Sequence, residues 1–202
     1  MARPLRDDHL LWKESARELL RRCAVFDLYR SARVPLSAPP DTAAADFYLL
    51  DARDWVTVVP VVSDAEGKES FLMVRQYRHG IERLTLEFPA GLVEPGERPE
   101  EAARRELLEE TGHEAQALAH CATMGSAPAF MTNWCHVYVA WKLAPARAQE
   151  LDETERLDVV SLPLAEVEEG FGSGELLNSI TAMSYFFYLR WARGASAGRR
   201  NG

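Results

Sequence analysis

The stretch GLVEPGERPEEAARRELLEETGH at residues 91–113 constrains this chain more than any other, because it sets seven carboxylates, three glycines and the adjacent Arg104 and Arg105 among few apolar residues. Those apolar positions can seat only one side of a helix. Pro99 suits a first helical turn, Glu100 and Glu101 stand where the helix dipole favours negative charge, and Gly112 can adopt the positive φ of a C-terminal cap. Together they predict a helix over 99–111. On it Glu106, Glu109 and Glu110 are three and four positions apart and project into one arc of about 100°. Like charges at these spacings repel by a few tenths of a kcal/mol per exposed pair, and by more when desolvated, unless a cation intervenes. An all-oxygen donor set, with no Cys or His at ligand spacing in the helix, suits Mg²⁺ or Mn²⁺ better than zinc. Arg105 can neutralise and orient one of these carboxylates from the side. A solvated acidic face is the other meaning of such a run, and spacing by itself leaves both open.

The chain around this helix reads as strand-rich. Residues 9–22 carry Leu10, Leu11, Ala16, Leu19 and Leu20 at helical spacing, which predicts an N-terminal helix. Strands are expected at 24–34, 47–50, 55–62, 71–77, 84–88, 115–124, 136–141 and 157–162, from β-branched and aromatic runs bounded by turn residues. Pro60 argues for an edge or a bulge in the 55–62 strand. SDAEGKES at 63–70 is a hairpin connection, and helices are expected at 164–169 and 175–193. Phe186, Phe187, Tyr188 and Trp191 on the last of these read first as core and second as a dimer contact.

A net charge of -8 and a pI near 5.2 disfavour binding of bulk nucleic acid or an anionic membrane, since a polyanion needs an excess of Lys and Arg. An anionic small substrate stays compatible if a cation mediates. Cys23, Cys121 and Cys135 form no CxxC pairing, which points away from a disulfide framework or zinc knuckle and toward a reducing cytoplasm. The N-terminus lacks the apolar core of a signal peptide, and the apolar run at 180–189 is too short to span a bilayer. The histidines His79, His113, His120 and His136 form no ligand spacing and read as packed or surface residues.

Residue order adds a stronger signal. Gly91, five residues, Glu97, seven residues and then Arg105-Glu106-Leu107-Leu108-Glu109-Glu110-Thr111-Gly112 coincide with the Nudix box at every charged and glycine position, so the chain resembles the Nudix hydrolase family. His113 departs from the aliphatic or aromatic residue usual there. The resemblance implies an α+β fold, an α/β/α sandwich with a mixed central sheet and an N-terminal strand extension. The corresponding division is 1–45 as extension, 46–193 as the Nudix domain and 194–202 as a flexible tail. It implies Glu106 and Glu110 as principal metal ligands, Glu109 as a further ligand, the carbonyl of Ala90 completing the site, and Arg105 holding a carboxylate. Mg²⁺ is the implied cofactor, with Mn²⁺ as a substitute.

The downstream loop ELDETE offers Glu153 and Glu155 as general base, with a slight preference for Glu153. VRQYRHG at 74–80, LEFPAG at 86–91 and Pro128 resemble the ADP-ribose and nucleoside-diphosphate-sugar pyrophosphatases. Arg75 and Arg78 are then candidates to grip phosphates, Trp55 to stack on a base, and Pro128 to shape the substrate site. The implied reaction converts a nucleoside diphosphate sugar to a nucleoside monophosphate and a sugar phosphate. Hydrolysis of a dinucleotide cofactor such as FAD or NADH is the alternative within this chemistry, and a non-catalytic nucleotide-sugar sensor the alternative outside it. A homodimer with an exchanged N-terminal region is expected for the resembling subgroup.

Overall fold

The computed structural model describes residues 7–199, so the first six residues of the expected extension and the last three of the expected tail lie outside it. Within that range the chain forms ten strands and three helices, divided into two compact units.

The first unit contains β1 (Trp12–Arg22), β2 (Asp27–Pro35) and β3 (Ala45–Asp51) in one antiparallel sheet, together with residues 125–133. β1 corrects the helix expected at 9–22. Its pairing with β2 shifts register between Glu14 and Ala16 and again between Leu19 and Arg21. Each shift breaks the two-residue alternation of a strand, and the apolar residues are left at a spacing that imitates a helix. No residue of β1 is buried, so cross-strand polar contacts set its register: Arg30 Nη2 donates to Glu18 Oε2 at 2.6 Å and Ser31 Oγ to Glu14 Oε2 at 2.5 Å. β3 pairs with β2 along its whole length, although 46–50 were expected in the Nudix domain. The segment 125–133 is tied to its end, with Leu50 N donating to Phe130 O at 2.8 Å.

The second unit is a mixed sheet in the order β10-β5-β4-β9-β8, built from β4 (Trp55–Ser63), β5 (Glu69–Arg78), β8 (His113–Gly125), β9 (Trp134–Pro145) and β10 (Leu157–Pro163). β6 (Arg83–Glu87) pairs with β5, and the short β7 (Ala90–Leu92), which periodicity does not announce, pairs with β4. β4 and β9 are parallel. Pro60 therefore lies in a central strand, in register with Ala140, which corrects the edge or bulge expected there. On its other side β4 pairs with β7 through Thr57 and with β5 only from Val61, and Pro60 stands in the gap between these two neighbours, where a missing N–H costs little.

Alternation along β4 sorts the core onto two faces. Val56 and Val58 join Tyr138 and Ala140 beneath Ala102, Ala103 and Leu107 of α1 (Pro99–Thr111). Val59 and Val61 point the other way, into Phe71, Met73, Phe88, Val167 of α2 (Leu164–Gly170), and Tyr185 and Tyr188 of α3 (Ser179–Arg199). Phe71 anchors this second cluster edge-on to Phe88, Tyr185 and Tyr188 at centroid distances of 5.3, 5.9 and 4.9 Å. Of the aromatic run on α3, Phe187 and Tyr188 are core, and Phe186 is 55% exposed. α3 begins at Ser179 rather than 175 because the Asn178 carboxamide oxygen caps it, accepting from Ile180 N at 2.8 Å and Thr181 N at 3.3 Å. The expected tail is helical through Arg199. Among the described residues no helix is long and apolar enough to cross a membrane.

Candidate active site on the acidic helix

α1 starts and stops where its sequence signals lie. Pro99 opens it, Arg98 N donates to Glu101 Oε2 at 3.0 Å, and Gly112 closes it at φ 71 with its N–H on Leu108 O at 2.8 Å. Because Ala102, Ala103 and Leu107 must face the sheet, Glu106 and Glu110 are carried inward along the rim of the same face and are 8% and 4% exposed.

β7 passes directly beneath them, and three consecutive residues meet the helix in turn. Ala90 donates its N–H to Glu110 Oε2 at 3.1 Å. Gly91 lies under the Glu106 carboxylate so closely that an added Cβ would come 2.1 Å from Oε1. Leu92 O accepts from Arg105 Nη2 at 2.9 Å. Gly91 is thus required for close approach. We expect Gly91→Ala to displace the Glu106 carboxylate and weaken divalent-cation affinity by about 10- to 100-fold, the range for disturbing a side chain that supports a metal site, measured by calorimetry.

Arg105 holds more than the single carboxylate expected of it. Its Nε and Nη2 each donate to Glu97 at 2.9 Å, and Nη1 reaches Glu106 Oε1 at 2.7 Å and Glu109 Oε2 at 3.0 Å. Glu97 in turn accepts from Glu94 N at 2.9 Å, which fastens the loop before α1 to the helix. With Arg105 spanning Glu106 and Glu109, no three His, Cys, Asp or Glu side chains form a closed ligand set among the described residues. The donors nevertheless fit a hard divalent cation. Burial first, and neighbouring negative charge second, push the Glu106 carboxyl up to about 7, against the pull of Arg105, and Glu110 rises well above the usual carboxylate range from burial and from Glu106. Two buried carboxylates so burdened need a counter-charge.

One consequence concerns the metal-free protein. A carboxyl whose folded pKa stands above its unfolded value binds the proton more tightly when folded, so the associated stability is lost as pH rises through the folded pKa. For Glu106 that window runs from 4.5 to about 7, and Glu110 acts with the same sign. Glu87, Glu97 and Glu101 are depressed and act in the opposite sense, below pH 4.5. In EDTA the unfolding free energy should therefore fall by roughly 2–3 kcal/mol between pH 5 and 8 from Glu106 alone, with Glu110 adding to the fall, and a saturating divalent cation should remove it. Chemical denaturation at the two pH values checks this.

The loop carrying the two candidate bases is tied to the end of α1. Gln149 Nε2 donates to Glu110 O at 2.6 Å, Glu150 N to Glu109 O at 3.0 Å and Ala146 N to Gly112 O at 2.9 Å, satisfying carbonyls that a helix end leaves open. Further along, Glu155 is half-buried and its charge acts on Glu106, Glu110 and Arg78. Glu153 is exposed, and its backbone carbonyl accepts from Arg156 Nη1 at 2.9 Å. Of the two loop acids, Glu155 is the less exposed and is the one whose charge acts on the carboxylates of α1.

The arginines expected to meet phosphates are both engaged by carboxylates. Arg75 donates Nε and Nη2 to Glu175 at 2.7 and 2.6 Å, and its surroundings raise its pKa through Glu175 and Asp158 alone. Arg78 donates Nε and Nη2 to Glu87 at 2.8 and 2.6 Å, yet also feels Glu110 and Glu155. Of the two, only Arg78 belongs with the acidic cluster. Trp55 opens β4, in register with Leu92 and Cys135 and half-buried, while Pro128 lies in the other unit. Sequence reading passed over Glu87, although an acidic residue in the buried run LEF is itself a signal. It also missed the row in which Asp54 Oδ2, His136, Thr123 and His120 are linked at 3.2, 3.0 and 3.0 Å, because β8 and β9 bring these residues together only in the folded sheet. A cavity of about 630 Å³ lined by His113, Trp141, Tyr188 and Trp191 lies toward the Ser63 end of β4, away from the end that meets β7.

An acid-rich helix fastened over a glycine of a short strand on one face of a mixed sheet defines a hydrolase of the Nudix class. Residues 53–178 match the NUDIX domain model, well over half of the chain, and the protein belongs to the Nudix hydrolase family. It is 34% identical to an ADP-ribose pyrophosphatase of Bacillus subtilis (strain 168), over 84% of this chain and 88% of the relative. Over 70% of this chain it is 32% identical to the ADP compounds hydrolase NudE of Escherichia coli (strain K12), covering 73% of that protein. A crystal structure of an ADP compounds hydrolase superposes with a TM-score of 0.77 at 26% identity, covering 91% of this chain and 95% of the other.

Proposed function

We propose that this enzyme hydrolyses the pyrophosphate bond of ADP-ribose or a related nucleoside diphosphate sugar, with Mg²⁺ as cofactor and Mn²⁺ as a substitute, releasing a nucleoside monophosphate and a sugar phosphate. The observation that carries this reading is the buried pair Glu106 and Glu110 over Ala90 and Gly91, burdened by neighbouring negative charge that includes that of Glu155, with the Arg78 guanidinium acting on Glu110 in the opposite sense. The likeness to an ADP-ribose pyrophosphatase and to an ADP compounds hydrolase supports the substrate class.

In this reading Glu106 and Glu110, with Glu109 and the carbonyl of Ala90, would hold the cation. Bound there, Mg²⁺ would screen the diphosphate and polarise its oxygens. Arg105 holds Glu97 through Nε and Nη2 and keeps the Glu106 and Glu109 carboxylates side by side, where they would face a bound cation. Glu155 accepts the proton of the attacking water as the new P–O bond forms and the bridging P–O bond breaks. Arg78 donates to a phosphate oxygen.

The test is a comparison of kcat/KM over ADP-ribose, ADP-glucose, GDP-mannose, UDP-glucose, NADH and FAD with Mg²⁺ present. A clear lead for ADP-ribose or a nucleotide sugar is expected. A lead for NADH or FAD would overturn the substrate class, and turnover of none of them would overturn the enzyme reading.

We further propose a cytoplasmic homodimer assembled through the β1–β3 sheet, where Trp12 and Phe47 stack edge-on at 5.2 Å and stay largely exposed beside exposed Tyr48. Phe47→Glu should convert a dimer to a monomer by light scattering.

A further inference from the structure

We propose that Glu87 is the positioning residue that fixes the Arg78 guanidinium for contact with a substrate phosphate, an inference that rests on diphosphate hydrolysis as the function.

Glu87 ends β6 and is 2% exposed. A carboxylate at that depth is tolerated only when its oxygens are fully partnered. Arg78 supplies a bidentate pair at 2.8 and 2.6 Å, and Thr85 donates its hydroxyl to Oε1 at 2.6 Å. The Asn178 side chain, whose oxygen caps α3, also acts to hold the Glu87 carboxyl down. Glu87 is thereby locked to β6, to β5 and to the start of α3, and it can act as a rigid fork for the arginine it binds.

The pair leaves Nη1 of Arg78 outside it. Unlike the buried carboxylate, the Arg78 side chain is 43% exposed, and its charge is felt by Glu110. Glu155 acts on it in turn. An unrestrained arginine would lose considerable rotamer freedom on gripping a phosphate, and one already clamped through two of its nitrogens has lost most of it beforehand. Arg75 shows the contrast. Its clamp, Glu175, is itself about one-third exposed, and neither Glu110 nor Glu155 acts on the guanidinium it holds.

A double-mutant cycle tests the assignment. Glu87→Gln in the wild-type background should raise KM for ADP-ribose about tenfold, the factor expected for loss of one charge-assisted hydrogen bond, with kcat changed by less than about threefold. In an Arg78→Ala background the same substitution should change KM by less than about twofold, since there is no guanidinium left to position. An equal rise in both backgrounds, or none in the wild type, overturns the proposal. Should Glu87→Gln fail to fold, Thr85→Val removes one donor to the same carboxylate, and a rise in KM confined to the background with Arg78 is again required. The cycle is repeated on binding of inorganic pyrophosphate with Mg²⁺, by calorimetry. A wild type that turns over no nucleotide but loses pyrophosphate affinity on Arg78→Ala, and on Glu87→Gln only when Arg78 is present, would overturn the substrate reading and leave this one standing. Equal pyrophosphate affinity in wild type and Arg78→Ala would overturn this one.

Discussion

Glu110→Gln is expected to lower kcat by at least about 10³-fold, corresponding to a loss of roughly 4 kcal/mol of charge stabilisation in the transition state, without destabilising the metal-free protein. The second half of that expectation separates a ligand from a structural carboxylate. Glu110 is 4% exposed, and both its burial and the neighbouring Glu106 work against its charge, with the Ala90 N–H pulling the other way. Glutamine keeps an oxygen for that N–H and removes the burden, so the thermal midpoint in EDTA at pH 8 should hold or rise. Mg²⁺ should then distinguish the two proteins. At 100 times its dissociation constant it stabilises the wild type by about 2.7 kcal/mol, which is on the order of 5–10 °C for a chain of this size, and most of that shift should vanish in the variant. Retained activity together with a full Mg²⁺ shift would remove Glu110 from the cation site. A wild type that shows the shift but no turnover on any nucleotide would be a sensor instead of an enzyme.

The elements that could be read from the chain are those governed by local chemistry. α1 runs over 99–111 because Pro99, Glu101 and Gly112 each act within a turn of themselves, and β4 declares itself through a continuous β-branched run. What could not be read depends on partners distant in sequence. The apolar spacing of 9–22 fits a helix until the two register shifts against β2 are known. Pro60 is compatible with a central strand only because β7 and β5 divide one side of β4 between them. The site follows the same rule. Glu106, Glu109 and Glu110 follow from helical period, as does the reach of Arg105 to Glu106 and Glu109, but its hold on the Leu92 carbonyl of β7 does not. Arg75 and Arg78 look alike in VRQYRHG, and only pairing with Glu175 and Glu87 separates them. Choosing between Glu153 and Glu155 requires knowing how the loop leaves the end of α1.

That choice yields the second large effect. Glu155→Gln should lower kcat by about 10²- to 10⁴-fold, the usual contribution of a general base, with KM nearly unchanged, whereas Glu153→Gln should stay within about threefold of wild type, as surface substitutions generally do. The two residues share a loop, a charge and nearly a sequence position, so nothing in composition separates the variants. The anchoring of the loop does. Gln149 and Glu150 are held on the carbonyls of Glu110 and Glu109, and six residues past Gln149 comes Glu155, half-buried, whose charge acts on the buried Glu106 and Glu110. Asp152 N donates to Glu155 Oε2 at 3.0 Å, which restrains the carboxylate from the loop side. Gln149→Ala cuts the one side-chain anchor among the three without touching either acid, and a loss of kcat on the order of tenfold is expected from misplacing the base. If Glu153→Gln rather than Glu155→Gln abolished turnover, the loop would have to shift by two residues when substrate binds, and Gln149→Ala would then be nearly silent. The three variants together therefore measure whether the loop in its present register is the catalytic one.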